Sequence, residues 1–268
     1  FCVGCVENLV QIVIDADGCI GDGDRARSGL FRIGGDAQGK DHRQHQKECK
    51  YSLHTYLYMF IVLEGLDGAG KSTQITKLRE MFRAKGVESE YLHFPRFDAP
   101  VYGELIARFL RGDLGGVESV NPYLVALLYA GDRADAAAMI RGWLAEGKVV
   151  IVDRYVYSNI GYQCAKLPRG EERNRLKEWI LHTEFEEFAI PRPDVSLFLD
   201  VPFAFTAKKL TETREGDDRA YLQGQKDIHE ASLDLQRAVR EVYLDAAAEG
   251  DDIQVVDCST EEGAMASP

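Results

Sequence analysis

Phe60-Ile61-Val62-Leu63-Glu64-Gly65-Leu66-Asp67-Gly68-Ala69-Gly70-Lys71-Ser72-Thr73 is an apolar run that opens into a glycine-rich loop and then into a helix-like stretch, Gln74 to Lys85. From Gly65 to Gly70, Lys71 and Ser72 the spacing fits the phosphate-loop template G-x-x-x-x-G-K-[ST]. Glycines let successive backbone N–H groups curl around a phosphate, and the following helix aims its positive end at the same anion. Lys71 is expected to reach the outer phosphates, and the Ser72 hydroxyl to complete a Mg²⁺ shell. The whole stretch Gly65, Leu66, Asp67, Gly68, Ala69, Gly70, Lys71, Ser72 and Thr73 is therefore read as a triphosphate-binding loop.

Outward from the loop, strand-like and helix-like segments alternate. Candidate buried strands are Phe60–Leu63, Glu90–His93, Val149–Val152, Val195–Leu199 and Ile253–Val256. Most are near-continuous apolar runs, as expected when helices cover both faces of a sheet. Helical stretches are expected near 71–85, 100–111, 121–146, 170–188, 202–213 and 225–248. The alternation predicts an α/β chain with a three-layer P-loop NTPase fold, a parallel sheet of roughly five strands flanked by helices.

Composition narrows the partners. With 45% hydrophobic and 28% charged residues the chain can bury one sizeable core. A formal charge of −12 argues against a nucleic-acid backbone as partner. A local cluster of Arg, Lys and helix ends can still draw nucleotide phosphates into a cleft. No apolar run approaches the roughly 20 residues that cross a bilayer, and the first residues lack the features of a secretion signal. The six cysteines are scattered and are expected to be free thiols in a cytoplasmic protein.

The first methionine is Met59, directly ahead of the loop strand. Residues 1–58, rich in glycine and polar residues, are expected to be a non-native or disordered extension, with residues 59–268 as the functional domain. Cys2 and Cys5 have C-x-x-C spacing, but no second tight ligand pair makes a zinc module. The acidic string from Asp15 to Asp24 lacks the turn glycine of a calcium loop, with Ile20 in its place. The closing Ser267-Pro268 resembles a helix start, so a missing C-terminal helix is expected.

A second signature is Val149-Val150-Ile151-Val152-Asp153-Arg154-Tyr155. A strand that delivers an Asp at its carboxyl end can place a carboxylate near the phosphate-loop metal, so Asp153 and Lys71 are expected to converge. Arg154 adds a planar, permanently charged fork for phosphate. Together with Phe94-Pro95-Arg96, Asp132-Arg133, Ser158-Asn159 and Tyr162, these motifs occur in the order seen in thymidylate kinases, and the chain resembles the bacterial members from Met59 to Ser267.

That resemblance implies a role for each position of the site. By resemblance, Asp67 contacts the acceptor sugar and lies near Mg²⁺. Phe94, Pro95, Arg96 and Phe97 form part of the dTMP site, with Phe94 on the thymine and Arg96 on the phosphate. Tyr129 and Arg133, one helical turn apart, supply a stacking aromatic and an arginine for base or phosphate. Ser158, Asn159 and Tyr162 complete the acceptor pocket. Asp227 and Glu230, three apart on an expected helical turn, lie near metal and acceptor. Ser72, Asp67, Asp153 and Glu230 are the candidate metal residues. Gly68 leaves no arginine at that loop position, so the catalytic cation falls to a lid, with Arg214 and Arg219 as candidates beside Lys71, Arg154 and Asp67.

The implied activity is Mg²⁺-dependent phosphorylation of dTMP by ATP, in a homodimer. Another nucleoside or nucleotide kinase on this fold, or a regulatory ATPase, stays open. None of Asn8, Asn121, Asn159 or Asn174 is followed by Lys, so a guanine-reading N-K-x-D motif is absent.

Overall fold

The computed structural model describes residues 59–117, 119–211, 221–224, 227–230, 232–260 and 264–265. The expected extension at 1–58, the lid candidates Arg214 and Arg219, and the end of the chain lie outside them.

Five parallel strands form one sheet in the order β2-β3-β1-β4-β5, with β1 Phe60–Glu64, β2 Ser89–His93, β3 Val149–Asp153, β4 Val195–Asp200 and β5 Gln254–Asp257. The helices are α1 Lys71–Ala84, α2 Tyr102–Leu110, α3 Pro122–Ala145, α4 Val156–Cys164, α5 Glu171–His182, α6 Phe203–Thr211 and α7 Leu233–Ala248, with a π-helical turn Thr183–Glu187 after α5.

Strand alternation divides the core into two layers. Phe60 and Val62 face Val150, Val152, Phe198 and the apolar sides of α3, α4, α5 and α7. Ile61 and Leu63 face Ile151, Leu197, Leu199 and the α1 residues Ile75, Leu78 and Phe82. The central strands are buried throughout, which explains their unbroken apolar sequence.

Both edge strands depart from the buried strands expected. β2 is half-buried, and three of the four β5 residues are exposed. Helix α4 is absent from the expected elements. All nine of its residues are buried, so it lacks the polar stripe that marks a surface helix. The expected helix at 225–248 begins only at Leu233, capped by Ser232 Oγ, which accepts from Leu235 N at 3.1 Å.

The register sets up the site. Leu63 and His93 both pair with Asp153, so three strands end level with one another. Ligands of open parallel sheets bind beyond such carboxyl ends.

Candidate active site

The loop after β1 turns on left-handed glycines, Gly68 at φ 77° and Gly70 at φ 81°, a region costly for residues with a Cβ. Gly70 stands at the N-terminal boundary of α1 with no side-chain cap, leaving that helix end for an anion. Lys71 folds back over the loop and donates from Nζ to the Leu66 carbonyl at 3.1 Å and that of Gly65 at 3.3 Å. Its Nζ lies 3.9 Å from Asp153 Oδ1, so the two signatures converge as expected. Burial lowers the Lys71 ammonium to about 8, with Arg154 adding to the effect and Asp153, Asp67 and Glu64 opposing it.

Asp153 Oδ1 is buried and has no hydrogen-bond partner, while Ser72 is exposed at the start of α1. An orphaned carboxylate oxygen at the end of β3 and an exposed hydroxyl at the start of α1 are hard-oxygen donors, the type that Mg²⁺ takes. Among the described residues no cluster of three or more His, Cys, Asp or Glu could hold a metal. Mg²⁺ commonly takes one or two protein carboxylates and completes its shell with waters and substrate phosphates. Asp153 also faces His93, whose Nδ1 is 3.5 Å from Oδ2.

Arg154 follows β3 in a left-handed conformation, φ 69°, unusual outside glycine and a recognised mark of functional turns. Its backbone N–H is held by the Leu63 carbonyl at 2.9 Å. Its guanidinium donates to Asp67 Oδ1 at 2.6 Å and to Ser158 Oγ at 3.1 Å. Tyr162 Oη donates to Asp67 Oδ2 at 2.6 Å, and Gln236 Nε2 to the same oxygen at 2.9 Å. Burial works against the Asp67 charge, but Arg154, Lys71 and these two donors outweigh it and hold the carboxyl far below the usual range.

Asp67 and Arg154 form one wall of a cleft that opens to solvent. Phe94, Pro95, Phe97, Tyr129, Arg133, Ser158, Asn159, Tyr162, Asp227 and Glu230 all line it. Phe94 belongs to core and cleft at once, being 1% exposed and packed on Tyr155. The lining mixes aromatic faces with a few aimed polar groups, as small-ligand sites do.

Arg96 is placed differently. It does not line the cleft; its guanidinium is taken up by α3, with Nε 2.8 Å from Asp132 Oδ1 and Nη2 2.6 Å from Asp135 Oδ2. Asp132 also accepts the Arg96 backbone N–H at 2.9 Å. Here the Asp of the Asp132-Arg133 pair pins the Phe94–Phe97 segment. Arg133 is held by Glu184 in a buried bidentate pair at 2.5 and 2.6 Å.

Asp227 and Glu230 do not share a helical turn. They lie in turns ahead of α7, where Asp227 Oδ1 accepts from the His229 N–H at 2.7 Å. Tyr221 Oη donates to Asp227 Oδ2 at 2.8 Å, and the Tyr221 ring stacks on Phe97 at 3.7 Å. Burial and the nearby Asp67 charge push the Asp227 carboxyl up to about 7.

Four residues of this site carry no motif. Glu64 is fully buried and accepts from the Tyr155 N–H at 2.9 Å and from Ser158 Oγ at 2.5 Å, tying α4 to the end of β1. Gln236 steadies Asp67 from α7. Glu184 holds Arg133 from the π-helical turn. His229 stacks on Tyr162 at 4.9 Å, and its Nε2 is buried without a partner. Glu64, which opens the loop stretch, and His229, between Asp227 and Glu230, left a positional signal in the sequence; Gln236 and Glu184 left none.

Residues 63–267 match the family model described as Thymidylate kinase. The chain is 35% identical over 192 residues to the thymidylate kinase of Mycobacterium tuberculosis strain H37Rv, covering 72% of this chain and 87% of that protein. It is 39% identical over 194 residues to the probable thymidylate kinase of Thermococcus kodakarensis, covering 70% and 84%. The solved structure of thymidylate kinase from Candida albicans aligns with a TM-score of 0.55 at 25% identity, over 75% of this chain and 84% of that one. Bacterial and archaeal relatives therefore stand at similar identity. The five-stranded parallel sheet, the converged phosphate-loop and strand-end motifs and these matches lead to one assignment: the chain belongs to the thymidylate kinase family.

Proposed function

We propose that the protein transfers the γ-phosphoryl group of ATP to dTMP, giving dTDP and ADP, as an enzyme of the bacterial type. The observation that carries this reading is the Asp67–Arg154–Tyr162 group. It stands between a phosphate loop on one side and a cleft lined by aromatic and amide groups on the other.

The attacking atom is an oxygen of the acceptor phosphate, which is largely ionised at neutral pH because its second pKa is about 6. A general base is not required. One bond forms from that oxygen to the γ-phosphorus of ATP, and the bond to the bridging oxygen of ADP breaks. Loop N–H groups and Lys71 hold the donor phosphates, and Arg154 lies on the acceptor side, where its fork can neutralise both groups as they approach. Asp67 and Tyr162 orient Arg154 and face the acceptor sugar. Phe94, Tyr129, Arg133 and Asn159 take the base. Ser72 and Asp153 would hold Mg²⁺, with Asp67 and Glu230 near the acceptor, and the ion would supply charge neutralisation on the phosphates.

Arg214 and Arg219 remain the candidate lid cations, since neither Gly68 nor any other loop residue supplies an arginine. Arg96 reaches the acceptor phosphate only by leaving Asp132 or Asp135. The enzyme is placed in the cytoplasm, where ATP and dTMP meet. Exposed Leu105 on α2 and Leu124 and Leu127 on α3 support a homodimer through these helices.

An ATP-dependent acceptor screen with dTMP, dUMP, dCMP, dGMP and thymidine tests the reading. dTMP should be the preferred acceptor, and Lys71→Ala should lower turnover by on the order of 10²–10³ while dTMP still binds. Near-normal turnover by that variant would remove the phosphate loop from the mechanism.

A further inference from the structure

Glu184 sits in the π-helical turn, fully buried and outside the cleft lining, yet its carboxylate grips two residues that do line it. Oε2 accepts from Arg133 Nε at 2.5 Å, and Oε1 accepts from Arg133 Nη2 at 2.6 Å and from Asn159 Nδ2 at 2.9 Å. The Asn159 amide nitrogen also donates to the Ala126 carbonyl at 3.0 Å. A carboxylate paired with arginine and a backbone carbonyl both act as acceptors only. The NH₂ group of Asn159 must therefore face them, because the flipped amide would set oxygen against oxygen. Its Oδ1 is thereby turned away from both. That atom is buried and without a hydrogen-bond partner, in a residue that lines the cleft. An orphaned acceptor of this kind calls for an explanation, and a ligand donor supplies one.

The same carboxylate decides what Arg133 can do. Pairing with Glu184 cancels its charge locally, so this end of the cleft offers no net cation for a phosphate. A buried ion pair is a weak stabilising device compared with apolar packing, whereas it is well suited to fixing the direction of a fork and an amide. π-helical turns are often found where a helix must re-aim a side chain at a functional site.

We propose that Glu184 is a positioning residue for acceptor choice. It locks Asn159 so that the cleft presents a hydrogen-bond acceptor to the base, selecting an imide edge with a ring N–H, as in thymine or uracil, over an edge whose ring nitrogen is an acceptor, as in cytosine. The proposal rests on the reading of the cleft as the site of the nucleoside monophosphate.

The test is steady-state kinetics on the full chain with saturating ATP and either dTMP or dCMP. Turnover of dTMP by the unaltered protein checks the underlying reading by itself. Glu184→Gln keeps the size of the side chain but only one acceptor oxygen, so an NH₂ is brought against a donor of Arg133 or of Asn159. It should raise KM for dTMP about tenfold and narrow the dTMP-to-dCMP ratio of kcat/KM by about tenfold, the worth of one hydrogen bond. KM for ATP should stay within about twofold, and on an Asn159→Ala background Glu184→Gln should add less than about twofold to the ratio, as expected of residues acting as one unit. An unchanged ratio in folded Glu184→Gln, or full additivity with Asn159→Ala, overturns the proposal.

Two arms do not depend on how that variant folds. Arg133→Met/Glu184→Leu leaves no buried charge unpaired and no acceptor at position 184 for the Asn159 NH₂, and should also lose the preference; a ratio like that of the unaltered protein overturns the idea. In the unaltered protein, dTMP methylated at its ring N–H should be a poorer acceptor by at least about tenfold. Turnover equal to that of dTMP would show that Asn159 does not present its oxygen.

Discussion

Arg154 and Asp67 are joined by a 2.6 Å hydrogen bond between Nη2 and Oδ1, although 87 positions separate them in the chain. The phosphate loop contributes the carboxylate and the end of β3 the guanidinium, so this one contact couples the donor side of the site to the acceptor side. Asp67→Asn keeps the shape but removes the charge that aims Arg154. Misplacement of a reacting group by about 1 Å can cost on the order of 10²-fold, and turnover of dTMP should fall by about that factor. Arg154→Lys should cost a similar amount, because an ammonium cannot reproduce the fork. The double variant should be little worse than either single one; additive losses would mean that the two residues act separately.

Lys71 gives a pH signature. Burial leads the forces that bring its ammonium down to about 8 in the ligand-free site. Below that pH the charge is present for the donor phosphates, and above it the charge is lost. The kcat/KM for ATP reports the free enzyme, so it should decline as pH rises through about 8, while kcat holds to higher pH once bound phosphate favours the cation. Lys71→Arg stays charged throughout, and its weaker kcat/KM profile should be flat over the same range. A decline that persists in Lys71→Arg would assign the titration elsewhere.

The extent to which the sequence discloses this site follows the range of the forces involved. Gly68, Gly70, Lys71 and Ser72 are legible because the loop is a local structure with a fixed spacing. Asp153 is legible because a buried strand ending in a carboxylate points to the ligand side of a parallel sheet. Helix α4 is hidden because every residue on it is buried, leaving no amphipathic period to read. Gln236 reaches Asp67 across 169 positions, and Tyr243 reaches Glu64 across 179. No local pattern encodes such partners. Arg96 shows the opposite limit: its motif is visible, but the two carboxylates that hold it aside, Asp132 and Asp135, become its neighbours only when α3 packs beside the loop.

Asp227 should shape the stability profile. Burial, the Asp67 charge and Glu230 raise its carboxyl to about 7, against the partial relief of the Tyr221 hydrogen bond, whereas an unfolded chain has a value of about 3.9. Between those two pH values the folded protein keeps a proton that the unfolded chain has released, so this contribution is full below about pH 4 and lost as pH rises through about 7. In denaturant titrations at pH 5 and pH 8, the unaltered protein should lose about 2–3 kcal/mol from this group. Asp227→Asn should lack that loss, so its stability relative to the unaltered protein should improve on going from pH 5 to pH 8. Parallel stability curves for the two proteins would show that Asp227 does not carry the proton.

Gly103 provides a way to disturb the acceptor side without touching a cleft residue. In α2 it faces the loop that carries Phe94 and Phe97, and a Cβ there would lie 2.5 Å from the carbonyl oxygens of both Arg96 and Phe97. Those are backbone atoms, which cannot rotate away as a flexible side chain would. Gly103→Ala must therefore push α2 and the loop apart, at a cost of about 1–3 kcal/mol. The displaced loop carries the Phe97 ring stacked on Tyr221 and the Phe94 ring in the cleft wall. KM for dTMP should rise by about tenfold, in line with loss of one well-formed contact. The phosphate loop leaves β1 on the far side of β3 from β2 and is not packed against Gly103, so KM for ATP should be nearly unchanged. Equal rises in both constants would indicate a general loosening of the fold, whereas a selective rise for dTMP places the Phe94–Phe97 loop in acceptor binding.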